Sequence, residues 1–215
     1  MPDLATLGLF LTAAFLLSIT PGPGILYTLA RTLHGGKAAG IASALGLFVG
    51  GLFHVVAAAI GISSLLMTSA IAFTAVKYAG AAYLIYLGIR TLLSRETVAS
   101  GDAARTGTNS TVLPKRNVFY QGVVTEALNP KTALFFLAFI PQFIQVENGH
   151  VFTQFLVLGL LTDVLNLMAD WVVITFAAPI GQWLRNSSRA RRGQRVASGC
   201  TLIGLGTYVA VAEQN

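Results

Sequence analysis

The chain has 215 residues, 54% of them hydrophobic and only 10% charged, with a mean hydropathy of +0.71. A soluble domain carries about 25% charged residues, so folding alone cannot hide this much apolar surface, and the chain reads as an integral membrane protein. The net charge of +6 falls in short segments between apolar runs, which argues for membrane topology and against nucleic-acid binding. The single cysteine, Cys200, excludes an intrachain disulfide, a CxxC redox pair and an iron–sulfur site.

The apolar runs have helix length, unlike the short alternating segments of an outer-membrane barrel. The fold class expected is an all-α membrane protein with six helices, at roughly 4–30, 38–67, 70–93, 118–145, 151–181 and 196–212. The first run opens on Met1-Pro2-Asp3-Leu4 without the basic start of a signal peptide, so it is expected to be retained. It is interrupted by Thr20-Pro21-Gly22-Pro23-Gly24. The second carries Gly46-Leu47-Phe48-Val49-Gly50, a GxxxG element for close packing inside the bundle, with homodimerisation as the second use. The third closes on Gly80 and Gly88, echoed by Gly199 and Gly206 in the sixth. The fourth is interrupted by Asn129-Pro130-Lys131.

Proline removes a backbone donor and clashes with the preceding turn, and glycine frees the dihedrals. Unwound backbone at membrane depth is tolerated only where protein buries it or a cavity is lined by it, and paired breaks in matching places of two halves point to a transporter site. The halves are 1–94 and 118–215, joined by a small, polar cytoplasmic linker at 95–117 that cannot bury enough surface to fold. Three spans per half make the second repeat inverted relative to the first. The segments 31–37, 90–117 and 185–195 hold the basic residues, whereas 68–69 and 146–150 hold no Lys or Arg. With six crossings all basic loops share one side, which the positive-inside rule makes cytoplasmic, leaving both termini outside.

Six ionisable residues fall within the spans: His54, Lys77, Glu126, Lys131, Asp163 and Asp170. A charge at mid-bilayer costs about 2.5–3.5 kcal/mol on insertion scales, so each needs a partner or water. Asp163 lies roughly 18 Å inside the outer end of the fifth span at helical rise, on the same face as Asp170. It is the expected seat of a substrate ammonium or a coupled proton, with a structural ion pair to Lys131 as the plainer reading. Lys131 either attracts a substrate carboxylate or holds the break in place, and Asn129 satisfies backbone groups freed by Pro130. The half-helix that starts after Thr20, Pro21, Gly22, Pro23 and Gly24 presents exposed N–H groups, so an amino-acid carboxylate is the expected guest there. Substrate binding is therefore expected at residues 20–24 and at Asn129, Pro130, Lys131 and Asp163. Candidates for proton coupling are Asp163, Asp170, Glu126 and His54. Lys77, near the outer end of the third span, is expected to snorkel to the headgroups. No His/Cys/carboxylate spacing suggests a metal, and no cofactor fingerprint appears.

Pro21-Gly22-Pro23, Lys77-Tyr78-Ala79-Gly80-Ala81-Ala82-Tyr83-Leu84-Ile85-Tyr86-Leu87-Gly88-Ile89-Arg90, and Phe119-Tyr120-Gln121-Gly122 with Leu128-Asn129-Pro130-Lys131 and Pro141-Gln142-Phe143 come in this order. This pattern resembles the LysE/RhtB family of amino-acid exporters across nearly the whole chain. The resemblance implies a bacterial inner-membrane carrier that expels amino acids in exchange for protons, without fixing which; neutral, hydrophobic or homoserine-like cargo fits a site with few charges, and basic amino acids stay open beside it. Two alternatives stand beside it: export of another small solute or a metal cation, and a non-transporting subunit or scaffold. An enzyme is not expected, because the chain offers no nucleophile–base pair, metal cluster, GxGxxG or P-loop.

Overall fold

A computed structural model describes residues 4–94 and 114–212. They form eight α-helices and no strand: α1 (Leu4–Ile19), α2 (Pro23–Thr68), α3 (Ala70–Leu93), α4 (Lys115–Ala127), α5 (Pro130–Leu134), α6 (Val151–Thr175), α7 (Ala177–Asn186) and α8 (Ser188–Val211). A π-turn (Phe135–Phe139) and a 3-10 turn (Ile140–Phe143) extend α5, and a second 3-10 turn (Val146–Asn148) leads to α6. Three helical stretches are long and apolar enough to cross a membrane, Pro23–Gly61, Ile71–Leu93 and Val151–Thr175. A fourth is added if α4 and the segment Pro130–Phe143, bent by 41°, count as one span.

The 46 residues of α2 do not form one rod. Gly36 has φ 72° and ψ −177°, a conformation that L side chains rarely adopt, and the chain reverses there. Past this turn Gly40 lies against Thr32, and Leu47 packs beside Gly24, so the second limb (37–68) runs back along the first (23–35). The first limb thus continues α1 beyond the predicted break. Proline also sets the end of α6. Pro179 has no N–H to offer the carbonyl of Thr175, and the helix stops there, at 175 rather than 181. The predicted polar loop 185–195 is instead mostly helical. Ser187 caps α8 by accepting from the Ala190 amide at 3.1 Å, and Arg and Gln favour the extension. α4 likewise starts at Lys115, three residues early, and most of the expected linker lies outside the described residues.

Lipid gives no hydrophobic drive between helices, so small residues that let backbones touch carry the packing. Gly46 lies on the carbonyl of Phe119, and a methyl on Gly50 would stand 2.6 Å from the carbonyl of Val123. The GxxxG element therefore packs α2 on α4, the two running parallel. Gly51 meets Asp163 while Gly159 meets Val55, which sets α2 antiparallel to α6. α3 and α8 pair antiparallel. Phe10, Phe135, Phe139, Phe143 and Tyr208 stack into an apolar cluster on the terminal side of both breaks, with centroid separations of 4.7 Å for Phe135–Phe139 and 5.2 Å for Phe10–Phe143. The outward faces stay apolar, with Phe15, Phe53, Ile60, Val124, Val164 and Val172 exposed, whereas Glu126, Asp163 and Asp170 are buried. That inversion of the soluble pattern is what a bilayer solvent requires.

Candidate functional site

Each break leaves one carbonyl without its helical donor, four residues before the proline: Leu17 for Pro21 and Glu126 for Pro130. Both are repaired in the same way. Leu17 O accepts from the Thr20 amide at 3.1 Å and from Lys131 Nζ at 3.1 Å. Glu126 O accepts from the Asn129 amide at 2.9 Å and from His54 Nε2 at 2.8 Å, so that ring nitrogen carries the proton. Lys131 Nζ also donates to Thr20 O at 3.0 Å, placing a cation at the carbonyl end of α1, where the helix dipole favours it. Asn129 caps α5, its Oδ1 accepting from the Lys131 amide at 3.1 Å.

Between the breaks lies a cleft of about 420 Å³, its open mouth included. It is lined by Ser18, Gly24, Ile25, Leu47, Phe48, Glu126, Asn129, Lys131, Thr132, Asp163, Asn166, Leu167 and Asp170. Glu126 spans the second break. One carboxylate oxygen accepts from Asn129 Nδ2 at 3.0 Å and the other from Thr132 Oγ1 at 2.6 Å. The carboxylates of α6 are placed differently. Asp163 is 3% exposed and Asp170 5%, and each keeps one oxygen without a hydrogen-bond partner among the described residues. Asp163 nests against the bare backbone of Gly51.

Of the residues predicted to bind substrate, Gly24, Asn129, Lys131 and Asp163 line the cleft. Thr20, Pro21, Gly22, Pro23 and Pro130 do not. They shape the breaks, and Pro21 O accepts from Ser198 of α8 at 3.3 Å. Among the proton-coupling candidates Asp163, Asp170 and Glu126 line it, whereas His54 stands behind it, on the backbone of Glu126 and 6.0 Å from the Phe136 ring. Lys131 directs its donors to backbone carbonyls and forms no ion pair with Asp163 among the described residues. The amide end of α2, expected to receive a carboxylate, already faces one: a methyl on Gly24 would stand 3.1 Å from Glu126 Oε2. Lys77 does not snorkel; it is 7% exposed and caps the carbonyl end of α8 at Ala212. Sequence reasoning missed Asn166 and Thr132. Asn166 was accessible from spacing, three residues from Asp163 and four from Asp170 on one helical face.

A bundle with an apolar exterior, two broken helices and a polar cleft between the breaks defines the class: a membrane transport protein, not an enzyme. The sequence pattern of the LysE type translocators matches residues 15–213, and the chain belongs to that family. It is 32% identical over 200 residues to an uncharacterised membrane protein, YrhP, of Bacillus subtilis, covering 92% of this chain and 94% of that one. A homoserine/homoserine lactone efflux protein of Salmonella typhimurium is 29% identical, with 95% of each chain covered. A leucine efflux protein of Salmonella choleraesuis is 26% identical, with 95% and 94% covered. No solved structure matches the chain.

Proposed function

We propose that the protein is a secondary exporter of amino acids, neutral, hydrophobic or homoserine-like, working by proton antiport across a bacterial inner membrane. The cargo enters the cleft from the cytoplasm with its ammonium at Asp163, and a proton taken up from outside at Asp163 or a neighbouring carboxyl resets the carrier. The observation that carries this reading is the pair of buried carboxylates, Asp163 and Asp170, which line a cleft between two broken helices and each keep one oxygen without a hydrogen-bond partner among the described residues. The printed names of the homoserine and leucine efflux relatives support the cargo class.

The two halves move against each other as inverted repeats, giving alternating access. Reciprocal contacts between α3 and α8 support this. A methyl on Gly88 would stand 2.8 Å from Gly199 O and 3.0 Å from Ile203 N; one on Gly206 would stand 2.8 Å from Ala81 O and 3.1 Å from Ile85 N. The two sets of contacts correspond position for position, Gly88 with Gly206, Gly199 with Ala81 and Ile203 with Ile85, as an inverted repeat would arrange them. The metal-cation alternative lacks a donor set, since no three His, Cys, Asp or Glu side chains gather into a metal-binding group among the described residues. A scaffold would leave the buried carboxylates of α6 without a purpose.

The test is efflux from vesicles holding the purified protein and loaded with the twenty amino acids and homoserine, under an imposed proton gradient, with empty vesicles alongside. Selective, gradient-dependent loss of a few species is expected. Equal retention of every species by folded protein would overturn the reading.

A further inference from the structure

His54 stands behind the cleft, but it holds the residue whose carboxylate lines it. Pro130 leaves the Glu126 carbonyl without its helical donor, and a carbonyl has two lone pairs to fill. The Asn129 amide fills one at 2.9 Å and His54 Nε2 the other at 2.8 Å. The Glu126 carboxylate is held by Asn129 Nδ2 and Thr132 Oγ1. The tethers from Asn129 and Thr132 belong to the break itself, whereas His54 reaches in from α2. The same turn of α2 touches both sides of the cleft. A methyl on Gly50 would stand 2.8 Å from Glu126 Cβ, and Gly51 is the bare backbone against which Asp163 nests. His54 follows these glycines at i+4 and i+3, on the side of the helix that they present.

We propose, building on the export reading above, that His54 is a positioning residue of transport and not a carrier of the proton. Its N–H replaces the backbone donor that Pro130 lacks, and so fixes the Glu126 carboxylate relative to Asp163. A relay needs a group that faces the path, and His54 is not among the residues that line the cleft. Its Nε2 proton is committed to a backbone carbonyl, which does not accept it as a base would. What the ring supplies is a donor and the reach to place it. Without that donor the Glu126 carbonyl keeps the Asn129 amide alone, and the break is no longer tied by a hydrogen bond to α2. The carboxylate then moves with the break, because Asn129 and Thr132 hold it there. One turn of α2 thus sets the placement of two cleft carboxylates, Glu126 through a hydrogen bond at His54 and Asp163 through the contact at Gly51.

The experiment compares His54→Gln, which keeps an N–H at similar reach but does not titrate, with His54→Leu, which has no donor. Both are made in the full-length protein. Gradient-driven efflux from vesicles is measured beside amide hydrogen exchange over residues 126–133, which reports the break directly. His54→Gln is expected to export within about threefold of the unmodified chain, with slow exchange at the break, because the donor is kept. His54→Leu is expected to lose at least about tenfold, since misplacing a site group by about 1 Å can cost about 100-fold in rate, and to exchange faster at the break. A glutamine variant that keeps slow exchange and loses efflux would overturn the inference, because the hydrogen bond is then intact and the titrating ring is what is missed. Full export by His54→Leu, or unchanged exchange at its break, would overturn it as well. If His54→Leu does not reach the membrane, the glutamine variant decides alone by the same two readings. Failure of the unmodified chain to export any amino acid would overturn the export reading instead, and the exchange comparison would still report whether His54 holds the break.

Discussion

Asp163 and Gly51 act as one unit at the scale of single residues. The carboxylate fits only because Gly51 has no side chain; an added Cβ would collide with both its oxygens. Asp163→Asn is therefore expected to abolish gradient-driven efflux with membrane protein level unchanged, since an amide keeps the volume and loses the charge. Gly51→Ala is expected to lower efflux at least about tenfold by displacing the carboxylate, as overpacking of this kind costs about 1–3 kcal/mol. Normal efflux by Asp163→Asn in the vesicle assay would remove this residue from the mechanism. Lys131 answers a different demand. Lys131→Met keeps the stem and removes the donors, leaving Thr20 O bare and Leu17 O with one partner. An unsatisfied buried acceptor costs about 1–3 kcal/mol, so a lower melting temperature and faster amide exchange in the last turn of α1 are expected. Unchanged exchange there would show that the lysine does not hold the break. The aspartates were legible in the sequence because a carboxylate in an apolar run needs a reason to be there. Gly51 was not, because its role depends on where α2 crosses α6, and neither helix alone encodes that crossing.

At the scale of elements, the prolines made the breaks readable: Pro21, Pro23 and Pro130 each remove a donor wherever they sit in a helix. What each break recruits in repair was hidden, since Lys131 and His54 reach carbonyls on other helices. The third helix was predicted at its observed bounds, and there the end of the apolar run coincides with the caps: Ser69 accepts from the Ala72 amide and Ser94 follows the last turn. The ends of α6 and α8 were misjudged because apolarity was used to delimit helices. Pro179 stops α6 inside an apolar run, and the basic first turns of α8 are helical without being apolar. Packing between elements gives its own prediction. Gly46 and Gly50 bring α2 onto the α4 backbone, so Gly46→Leu has nowhere to put its side chain. The variant is expected to lose about 3 kcal/mol or more, seen as a fall in melting temperature in detergent, whereas Gly204→Leu, where nothing lies within 4 Å, is expected to change little. Equal melting temperatures for the two variants would mean that the α2–α4 contact is not a tight one.

At the scale of the whole molecule, orientation follows from which ends of the helices meet. Arg31, at the turn between the limbs of α2, donates to Gln121 near the start of α4. Arg195, near the start of α8, donates to the carbonyl of Ser94 at the end of α3. The basic turns thus meet one another, and in the parallel and antiparallel order of α2, α3, α4, α6 and α8 they gather at one end of the bundle. The loop 146–150, with no Lys or Arg, follows Phe143, whose ring stacks on Tyr208 near the closing turn of α8, and so belongs to the other end. We propose from the charge bias that the basic end faces the cytoplasm and the 146–150 end, with His150, faces outward. The single native cysteine makes this testable, since Cys200→Ser gives a background without thiols. In that background His150→Cys is expected to react with a membrane-impermeant maleimide in intact spheroplasts, and Arg192→Cys only in inverted vesicles. Both positions are exposed in the structure, so lack of reaction reports sidedness rather than burial. Reaction of both from the same face would require an odd number of crossings between α6 and α8 to be lost. The inverted halves, and with them alternating access by rocking of one half on the other, would fall together.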